Sequence, residues 1–217
     1  MITAVVFDFD GVLADSEPLH LSAGQEVFAS VGVELTREDY FANYLGYDDR
    51  EMFRKLCERQ GWPLTEEKVT ALIDAKAAVF DQVVARTDVL FPDAAACIEA
   101  LAEHFPLGIA SGALRHEIEM ILARAGLGHH FRFIVASGDT PNSKPWPDPY
   151  VRAARLHGVD ASECVAIEDS RWGIESAKAA GLKCVGITTS YPAAQLQAAD
   201  RVIGSLAEFT PGLIRAL

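Results

Sequence analysis

The feature that most constrains the fold of this sequence is an alternation of short apolar runs with amphipathic stretches. Residues 2–7 form a β-branched and apolar run that ends at Asp8, as expected of a strand buried on both faces. Similar runs follow at residues 107–110, 133–136, 164–167, 184–187 and 201–203. Between them, apolar residues recur at three-to-four spacing, which is typical of helices that pack against a sheet. The alternation predicts an α/β fold, namely a doubly wound parallel sheet with right-handed βαβ units and a Rossmann-like core.

One long segment interrupts this alternation. From Glu17 to Arg86 the apolar residues follow helical spacing, and no run in that segment is typical of a strand. We therefore predict an inserted all-helical cap domain at residues 16–86. The catalytic α/β core then consists of residues 1–15 and 87–217.

Composition and charge exclude several classes of protein and of partner. The chain has 217 residues, of which 50% are hydrophobic, and a formal net charge of −12 at pH 7. This composition is typical of globular proteins and is too hydrophobic for a disordered chain. Because nucleic-acid affinity comes largely from Lys and Arg, an acidic chain is a poor partner for nucleic acids and anionic lipids. We expect no nucleic-acid or membrane partner, and we expect a monomer.

Two further patterns concern the cellular compartment. The N-terminal segment lacks the basic region of a signal peptide, and every apolar run is shorter than a membrane span. The cysteines are widely scattered, which favours free buried thiols over disulfides. They are Cys57, Cys97, Cys164 and Cys184. We expect a cytoplasmic protein.

Two aspartates directly follow the first predicted strand. Asp8 and Asp10 are two residues apart, so in an extended chain both carboxylates point to the same side, just beyond the carboxyl end of the strand. In doubly wound sheets this edge binds the ligand. A carboxylate nucleophile can form an acyl phosphate, and a second carboxylate nearby can act as general acid and base. The alternative is a simple turn rich in turn-forming residues.

Polar residues also follow the second, third and fourth predicted strands. Ser111 and Gly112 follow the second, Lys144 lies in the loop after the third, and Glu168 with Asp169 follows the fourth. Together with the two N-terminal aspartates they suit a magnesium-assisted phosphate site, where the serine and lysine hold phosphoryl oxygens and acidic groups hold the ion. Helix capping or solvation explains each residue singly. Their coincidence at successive strand ends favours the functional interpretation.

These motifs occur in an order known from one family. They are residues 8–16 (DFDGVLADS), Ser111-Gly112, Lys144-Pro145, and residues 168–170 (EDS) with Gly173 and residues 179–181 (AAG). In them the chain resembles the haloacid dehalogenase-like hydrolase superfamily over essentially its whole length, and most of all its helical-cap branch of small phosphatases and β-phosphoglucomutases. The resemblance implies that Asp8 is the nucleophile and Asp10 the acid and base. It also implies Mg²⁺ bound by Asp8, the Asp10 backbone carbonyl and Asp169, with Glu168 supporting the metal from nearby.

The resemblance extends to residues of the predicted cap. Gly46, Arg50 and Lys76 resemble positions from which the caps of this family contact the substrate. A helix–helix turn and solvated charges are the alternative interpretations. Glu17 and His20 lie just past the start of the insertion, where a cleft-lining and a structural role are equally compatible with the sequence.

The residue at position 10 distinguishes between reaction types. Dehalogenases of the superfamily lack an acid there, whereas an acid is what protonates an alkoxide leaving group. Asp10 therefore favours phosphoryl transfer over dehalogenation. We predict a phosphatase that hydrolyses a small phosphorylated metabolite, with a sugar phosphate as the foremost candidate, through an aspartyl-phosphate intermediate.

Two alternative functions remain open from the sequence. One is a phosphomutase of the β-phosphoglucomutase type, although Leu114 and Arg115 stand where those mutases have a Lys-Asn pair. The other is a non-enzymatic phospho-acceptor module for signalling. Such modules are about half this length, have no cap and carry the acceptor aspartate after a middle strand, whereas Asp8 follows the first strand.

Overall fold

The structure is a computed structural model that describes residues 1–44, 49–84 and 86–217. Its internal contacts divide the chain into two compact units. The core unit consists of Met1–Asp15 and Val89–Leu217, and the helical unit is Ser16–Asp88.

The helical unit has its own hydrophobic core. Its helices are α1 (Glu17–Ser30), α2 (Arg37–Asn43), α3 (Asp49–Gln60) and α4 (Glu66–Val84). In this core the ring of Phe28 packs edge-on against Tyr44 and tilted against Phe53, at centroid distances of 5.5 and 5.9 Å. The hydroxyl of Thr36 caps α2 by accepting a hydrogen bond from the Asp39 amide at 3.1 Å. In the described ranges, no helix has both the length and the apolar character needed to cross a membrane.

The core unit is built on one parallel sheet. Its strands are β1 (Ala4–Phe7), β2 (Leu107–Ala110), β3 (Phe131–Val135), β4 (Cys164–Glu168), β5 (Lys183–Ile187) and β6 (Arg201–Ile203). The strand order is β3-β2-β1-β4-β5-β6, and every paired strand runs parallel to its neighbour. The predicted doubly wound parallel sheet is therefore confirmed. The chain adds strands on one side of β1 and then crosses to β4 on the other, so the β1–β4 boundary is the topological switch point.

One strand begins earlier than the sequence pattern indicates. β3 starts at Phe131, although the apolar run was predicted from residue 133. Phe131 pairs with Leu107 of β2, and the register shifts before the next pair. Arg132 is exposed on this edge strand, and its charge interrupts the apolar run.

Helices of the core unit follow the strands and cover the sheet. They are α5 (Ala94–Ala102), α6 (Arg115–Ala125), α7 (Asp148–His157), α8 (Arg171–Ala179) and α9 (Pro211–Arg215), with short 3₁₀ helices at Gly128–His130, Ala161–Glu163, Ala193–Gln195 and Leu206–Glu208. The side chains of Tyr150 in α7 and Ile174 in α8 are fully buried in the cluster that contains Val6 and Ala166 of the sheet. This packing fixes α7 and α8 on the strands that precede the polar residues of interest.

The insertion starts and ends at neighbouring points of the core unit. Ala14 forms an antiparallel bridge with Leu90. Beside it, the Asp15 amide donates a hydrogen bond to the Val89 carbonyl at 2.8 Å. The two halves of the core unit are therefore joined by backbone hydrogen bonds where the chain leaves and returns.

Candidate active site

Three buried carboxylates meet at the carboxyl ends of β1 and β4. Phe7 of β1 is in register with Ile167 of β4, which brings the residues that follow each strand to the same level. Asp8, Glu168 and Asp169 each offer an oxygen, and these oxygens all lie within 4.8 Å of one another. Such a group, at the topological switch point of a parallel sheet, lies where doubly wound folds bind their ligands.

Lys144 is the cation that joins this carboxylate group. Its Nζ lies 2.8 Å from Asp8 Oδ1 and 2.5 Å from Glu168 Oε1. Burial disfavours the charged amine, but the negative charges of Asp8 and Glu168 outweigh that effect and raise the pKa of Lys144 above its ordinary value. The lysine is therefore charged at neutral pH.

The charges in this group do not balance. Burial, followed by repulsion from Asp8, raises the pKa of Asp169 to about 6. The same two causes raise the pKa of Glu168, against the opposing effect of Lys144. Three carboxylates that face one lysine leave an excess of negative charge in a buried place, which a cation of charge +2 would neutralise.

Glu168 is held in place from several sides. Besides the lysine, the hydroxyl of Tyr150 donates a hydrogen bond to Glu168 Oε1 at 2.6 Å, and Ser170 Oγ lies 3.3 Å from Oε2. Ser170 also caps α8, because its Oγ accepts a hydrogen bond from the Gly173 amide at 3.1 Å. A Cβ atom at Gly173 would lie 1.9 Å from the carboxylate carbon of Glu168. The start of α8 therefore needs glycine at this position to admit the buried carboxylate.

The loop after β1 is shaped to bring Asp8 and Asp169 together. The Phe9 amide donates to Asp8 Oδ1 at 2.7 Å, which orients the carboxylate. Gly11 has a φ of +76°, and a Cβ there would lie 2.0 Å from Asp169 Oδ2. Asp10 is partly exposed at the turn between these residues.

Ser111 and Gly112 follow β2, the other neighbour of β1. Ser111 is buried, and its Oγ accepts a hydrogen bond from the Ala113 amide at 3.1 Å. Its own amide donates to the Val135 carbonyl at 2.9 Å. A Cβ at Gly112 would meet no atom within 4 Å.

The predicted residues of the helical unit differ in their environment. Lys76 is buried, forms an ion pair with Asp49 and lies 3.2 Å from His20 Nδ1 through its Nζ. Burial, followed by the charge of Lys76, lowers the pKa of His20 to about 3, so this imidazole is neutral at pH 7. Arg50 is exposed and pairs with Glu66 at 2.5 Å.

Of the predicted substrate contacts, Gly46 lies outside the described residues. The substrate contacts of Gly46, Arg50 and Lys76 remain predictions.

Sequence reasoning missed two residues that contact the carboxylate group. Tyr150 was not singled out, because its contact with Glu168 depends on how α7 packs on the sheet. Ser190, in the loop after β5, hydrogen-bonds Asp169. The signal available for Ser190 was its place after a predicted strand, the same criterion that identified Ser111 and Asp169.

Comparison with known proteins places this chain in one family. Residues 5–187 match the haloacid dehalogenase-like hydrolases. Hexitol phosphatase B from Escherichia coli (strain K12) is 34% identical over 216 residues, which cover 96% of this chain and 95% of that protein.

Two solved structures share the architecture. A mutant of CbbY from Rhodobacter sphaeroides in complex with xylulose 1,5-bisphosphate has a TM-score of 0.83 at 29% identity, and the match covers 96% of each chain. A β-phosphoglucomutase from Clostridium difficile also has a TM-score of 0.83, at 23% identity, over 100% of this chain and 96% of that one.

The chain belongs to the haloacid dehalogenase-like hydrolase family. The resemblance found in the sequence motifs is confirmed. The protein is an enzyme of this family, and several of its relatives are named as phosphatases.

The close approach of Glu168 to Gly173 predicts how a substitution at this glycine changes stability. We expect Gly173→Ala to lower the free energy of unfolding by about 1–3 kcal/mol, because the new methyl group overlaps the buried Glu168 carboxylate. Urea denaturation of the purified variant measures this loss. The matched control is Gly212→Ala in α9, where the nearest atom to a Cβ lies at 3.7 Å. Equal stability of the two variants would show that the fit around Glu168 is looser than described.

Proposed function

We propose that this enzyme is a magnesium-dependent phosphatase that hydrolyses a small phosphorylated metabolite, a sugar or polyol phosphate, through an aspartyl-phosphate intermediate. The observation that carries the proposal is the 2.8 Å contact between Asp8 Oδ1 and Lys144 Nζ beside two further buried carboxylates. It puts a nucleophile next to a cation that can hold a phosphoryl oxygen.

Asp8 is the proposed nucleophile. One of its carboxylate oxygens attacks phosphorus, the bond from phosphorus to the ester oxygen breaks, and the phosphoryl group is carried on Asp8. In the second step water attacks the same phosphorus, inorganic phosphate leaves and the Asp8 carboxylate is restored. The bond from the Phe9 amide orients this carboxylate throughout.

Asp10 is the proposed general acid and base. It gives a proton to the ester oxygen as that oxygen leaves, and then takes a proton from the attacking water. One group can serve both steps, because the proton lost in the first is regained in the second. The partly exposed position of Asp10, two residues after Asp8, supports this role because protons can be exchanged with solvent.

The carboxylate group fits a magnesium ion. Asp8, Asp169 and the Asp10 backbone carbonyl would hold it, since Mg²⁺ prefers oxygen ligands and the group carries excess negative charge. When bound, Mg²⁺ neutralises negative charge on the carboxylates and on the phosphoryl group. Glu168 is bonded to Lys144 and Tyr150, which supports a role near the metal rather than as its main ligand.

Lys144 and Ser111 are the proposed phosphate-binding side chains, with Gly112 between β2 and α6. Lys144 is charged and close to the proposed nucleophile, so it can stabilise the negative charge that develops on the phosphoryl oxygens. Ser111 is presented at the end of β2, the strand adjacent to β1. Its hydroxyl can donate to a phosphoryl oxygen while its Oγ accepts from Ala113.

The substrate class rests on the relatives and on the charge of the chain. Hexitol phosphatase B and a fructose-1-phosphate phosphatase are among the proteins to which this chain is similar. The acidic chain, with a net charge of −12, supports the absence of a nucleic-acid partner. Buried, free cysteines support a reducing compartment, so we infer a cytoplasmic enzyme.

A phosphomutase is the second candidate, because one β-phosphoglucomutase has the same fold. A mutase has to hold a second phosphate with basic or amide groups. Here Leu114 is half-exposed and brings no charge, and Arg115 donates its hydrogen bonds to Ile134 and Asp139. These contacts favour water over a second sugar phosphate as the acceptor.

Our first functional prediction concerns the nucleophile. With Mg²⁺ present, we expect the enzyme to hydrolyse an aryl phosphate, and Asp8→Asn to lower kcat by a factor on the order of a thousand, because an amide cannot attack phosphorus. Initial rates at saturating substrate, with and without a chelator, measure both effects. Asp160→Asn, at an exposed aspartate that caps a short helix before β4, is the matched control. Near wild-type turnover of Asp8→Asn would refute the assignment.

A second prediction separates the role of Asp10 from that of Asp8. Good leaving groups need little protonation, so Asp10→Asn should slow the phosphorylation step about a hundredfold for alkyl phosphates but only about tenfold for aryl phosphates. Single-turnover kinetics with both substrate classes measures this difference. An equal loss for the two classes would mean that Asp10 only shapes the loop.

The third prediction concerns the acceptor. With β-glucose 1-phosphate and a trace of glucose 1,6-bisphosphate, we expect any turnover to release inorganic phosphate, because no basic side chain at Leu114 holds a second phosphate. Glucose 6-phosphate and inorganic phosphate are followed together, beside a panel of sugar and polyol phosphates. Rapid isomerisation with almost no phosphate release would establish the mutase instead.

A further inference from the structure

Two loops at the proposed phosphate site are joined by an ion pair that the proposed chemistry does not use. The first loop leads from Ser111 into α6, and the second leads from β3 through Lys144 into α7. Arg115, the first residue of α6, reaches across to the second loop. Its guanidinium donates to Asp139 Oδ2 at 2.6 Å and to the Ile134 carbonyl at 2.7 Å.

Asp139 is a centre of hydrogen bonds in the second loop. The Asp139 Oδ2 atom that accepts from Arg115 also accepts from the Ala136 amide at 2.9 Å. The Asp139 carbonyl accepts a further bond from the Arg152 guanidinium of α7. The Ala136 amide, and then the charge of Arg115, hold the pKa of Asp139 below its ordinary value against the effect of partial burial. Asp139 is therefore ionised, and it fastens the loop both to α6 and to α7.

The pair continues a set of backbone bonds between the two loops. The Ser111 amide donates to the Val135 carbonyl, and the Ser137 amide donates to the Ala113 carbonyl, each at 2.9 Å. The ladder between β2 and β3 thus extends past the strand ends. Arg115 and Asp139 close this ladder with one charge-assisted hydrogen bond, and the same Arg115 nitrogen also donates to the Ile134 carbonyl.

We propose that Arg115 and Asp139 are positioning residues that set the distance between the two phosphate-binding side chains, Ser111 on one loop and Lys144 on the other. This inference rests on the proposed function of those two side chains. Neither member of the pair touches phosphate. The pair raises the affinity for a phosphoryl group by holding the two loops in place before the group binds. A preorganised site does not have to order its loops on binding.

A positioning role and a purely stabilising role of this ion pair can be distinguished by experiment. Both side chains are partly exposed, at 45% for Arg115 and 24% for Asp139, and exposed ion pairs contribute little to global stability. A positioning role predicts weaker binding of phosphate with little change in overall stability and little change in kcat at saturating substrate. The same substitutions should leave the Mg²⁺ concentration at half-maximal rate unchanged.

The experiment compares wild-type enzyme with Arg115→Ala, Asp139→Ala and the double variant. For each single variant we expect the Kd of inorganic phosphate, from calorimetry, and the KM for an aryl phosphate to rise about five- to tenfold. The loss in the double variant should be smaller than the sum of the two single losses, because each single change already removes the contact between Arg115 and Asp139. The matched control is Glu119→Ala, which removes another partner of Arg115, at 3.7 Å within α6, but no bond between the loops. We expect no change in this control.

A second readout needs no ligand. Hydrogen exchange of the Ser111 and Ser137 amides should become about tenfold faster in Arg115→Ala, because these bonds lie in the ladder that the pair closes. Arg115→Lys keeps the positive charge but replaces the planar guanidinium with a compact ammonium, so its exchange rates should fall between those of wild type and Arg115→Ala. It also provides a milder variant if the alanine substitutions fold poorly.

The outcomes separate this inference from the proposed function. If the wild type hydrolyses phosphate esters but Arg115→Ala binds phosphate as tightly as the wild type, the positioning role is refuted and the phosphatase proposal stands. If Arg115→Ala weakens phosphate binding and Asp139→Ala does not, the ion pair between them does not position the loops. If the wild type hydrolyses nothing, the phosphatase proposal fails, and phosphate calorimetry with amide exchange still decides the role of the pair.

Discussion

The core unit depends on how three carboxylates can be buried at one point. Isolated carboxylates inside a protein lose much of their hydration energy, and like charges that meet there repel one another. These carboxylates are tolerated because Lys144 forms ion pairs with Asp8 and Glu168, and because each carboxylate has a hydroxyl or amide hydrogen-bond partner. The remaining negative charge makes the place suitable for a metal ion.

Two glycines leave the space that the buried carboxylates occupy. At Gly11 and at Gly173 a Cβ would overlap an acidic group, that of Asp169 in the first case and Glu168 in the second. The two glycines lie in different segments, one after β1 and one in the first turn of α8. Both segments follow the strands that flank the switch point, so the sheet brings the acids together and the glycines let them approach.

Much of the site could be predicted because it follows from strand topology. In a parallel sheet all carboxyl ends meet at one edge, so residues as distant in sequence as Asp8 and Asp169 could be expected to lie together once the strands were recognised. The contact between Tyr150 and Glu168 could not be predicted in this way, because it depends on the rotation of α7 against the sheet. The state of Lys76 was also beyond sequence reasoning, since its burial and its partner Asp49 depend on the packing of separate helices. The early start of β3 was hidden by an exposed arginine on an edge strand.

The antiparallel bridge between Ala14 and Leu90 has a consequence for how this chain folds. β1 has to pair with β2 although the whole helical unit lies between them in sequence, and closing so long a loop opposes early formation of the sheet. The helical unit has its own apolar core, so it can order independently and bring its ends to a fixed separation. A folded insertion then behaves as a short loop, so the entropic cost of pairing β1 with β2 is lower. Sequence changes that weaken the core of the insertion would therefore slow the pairing of β1 with β2.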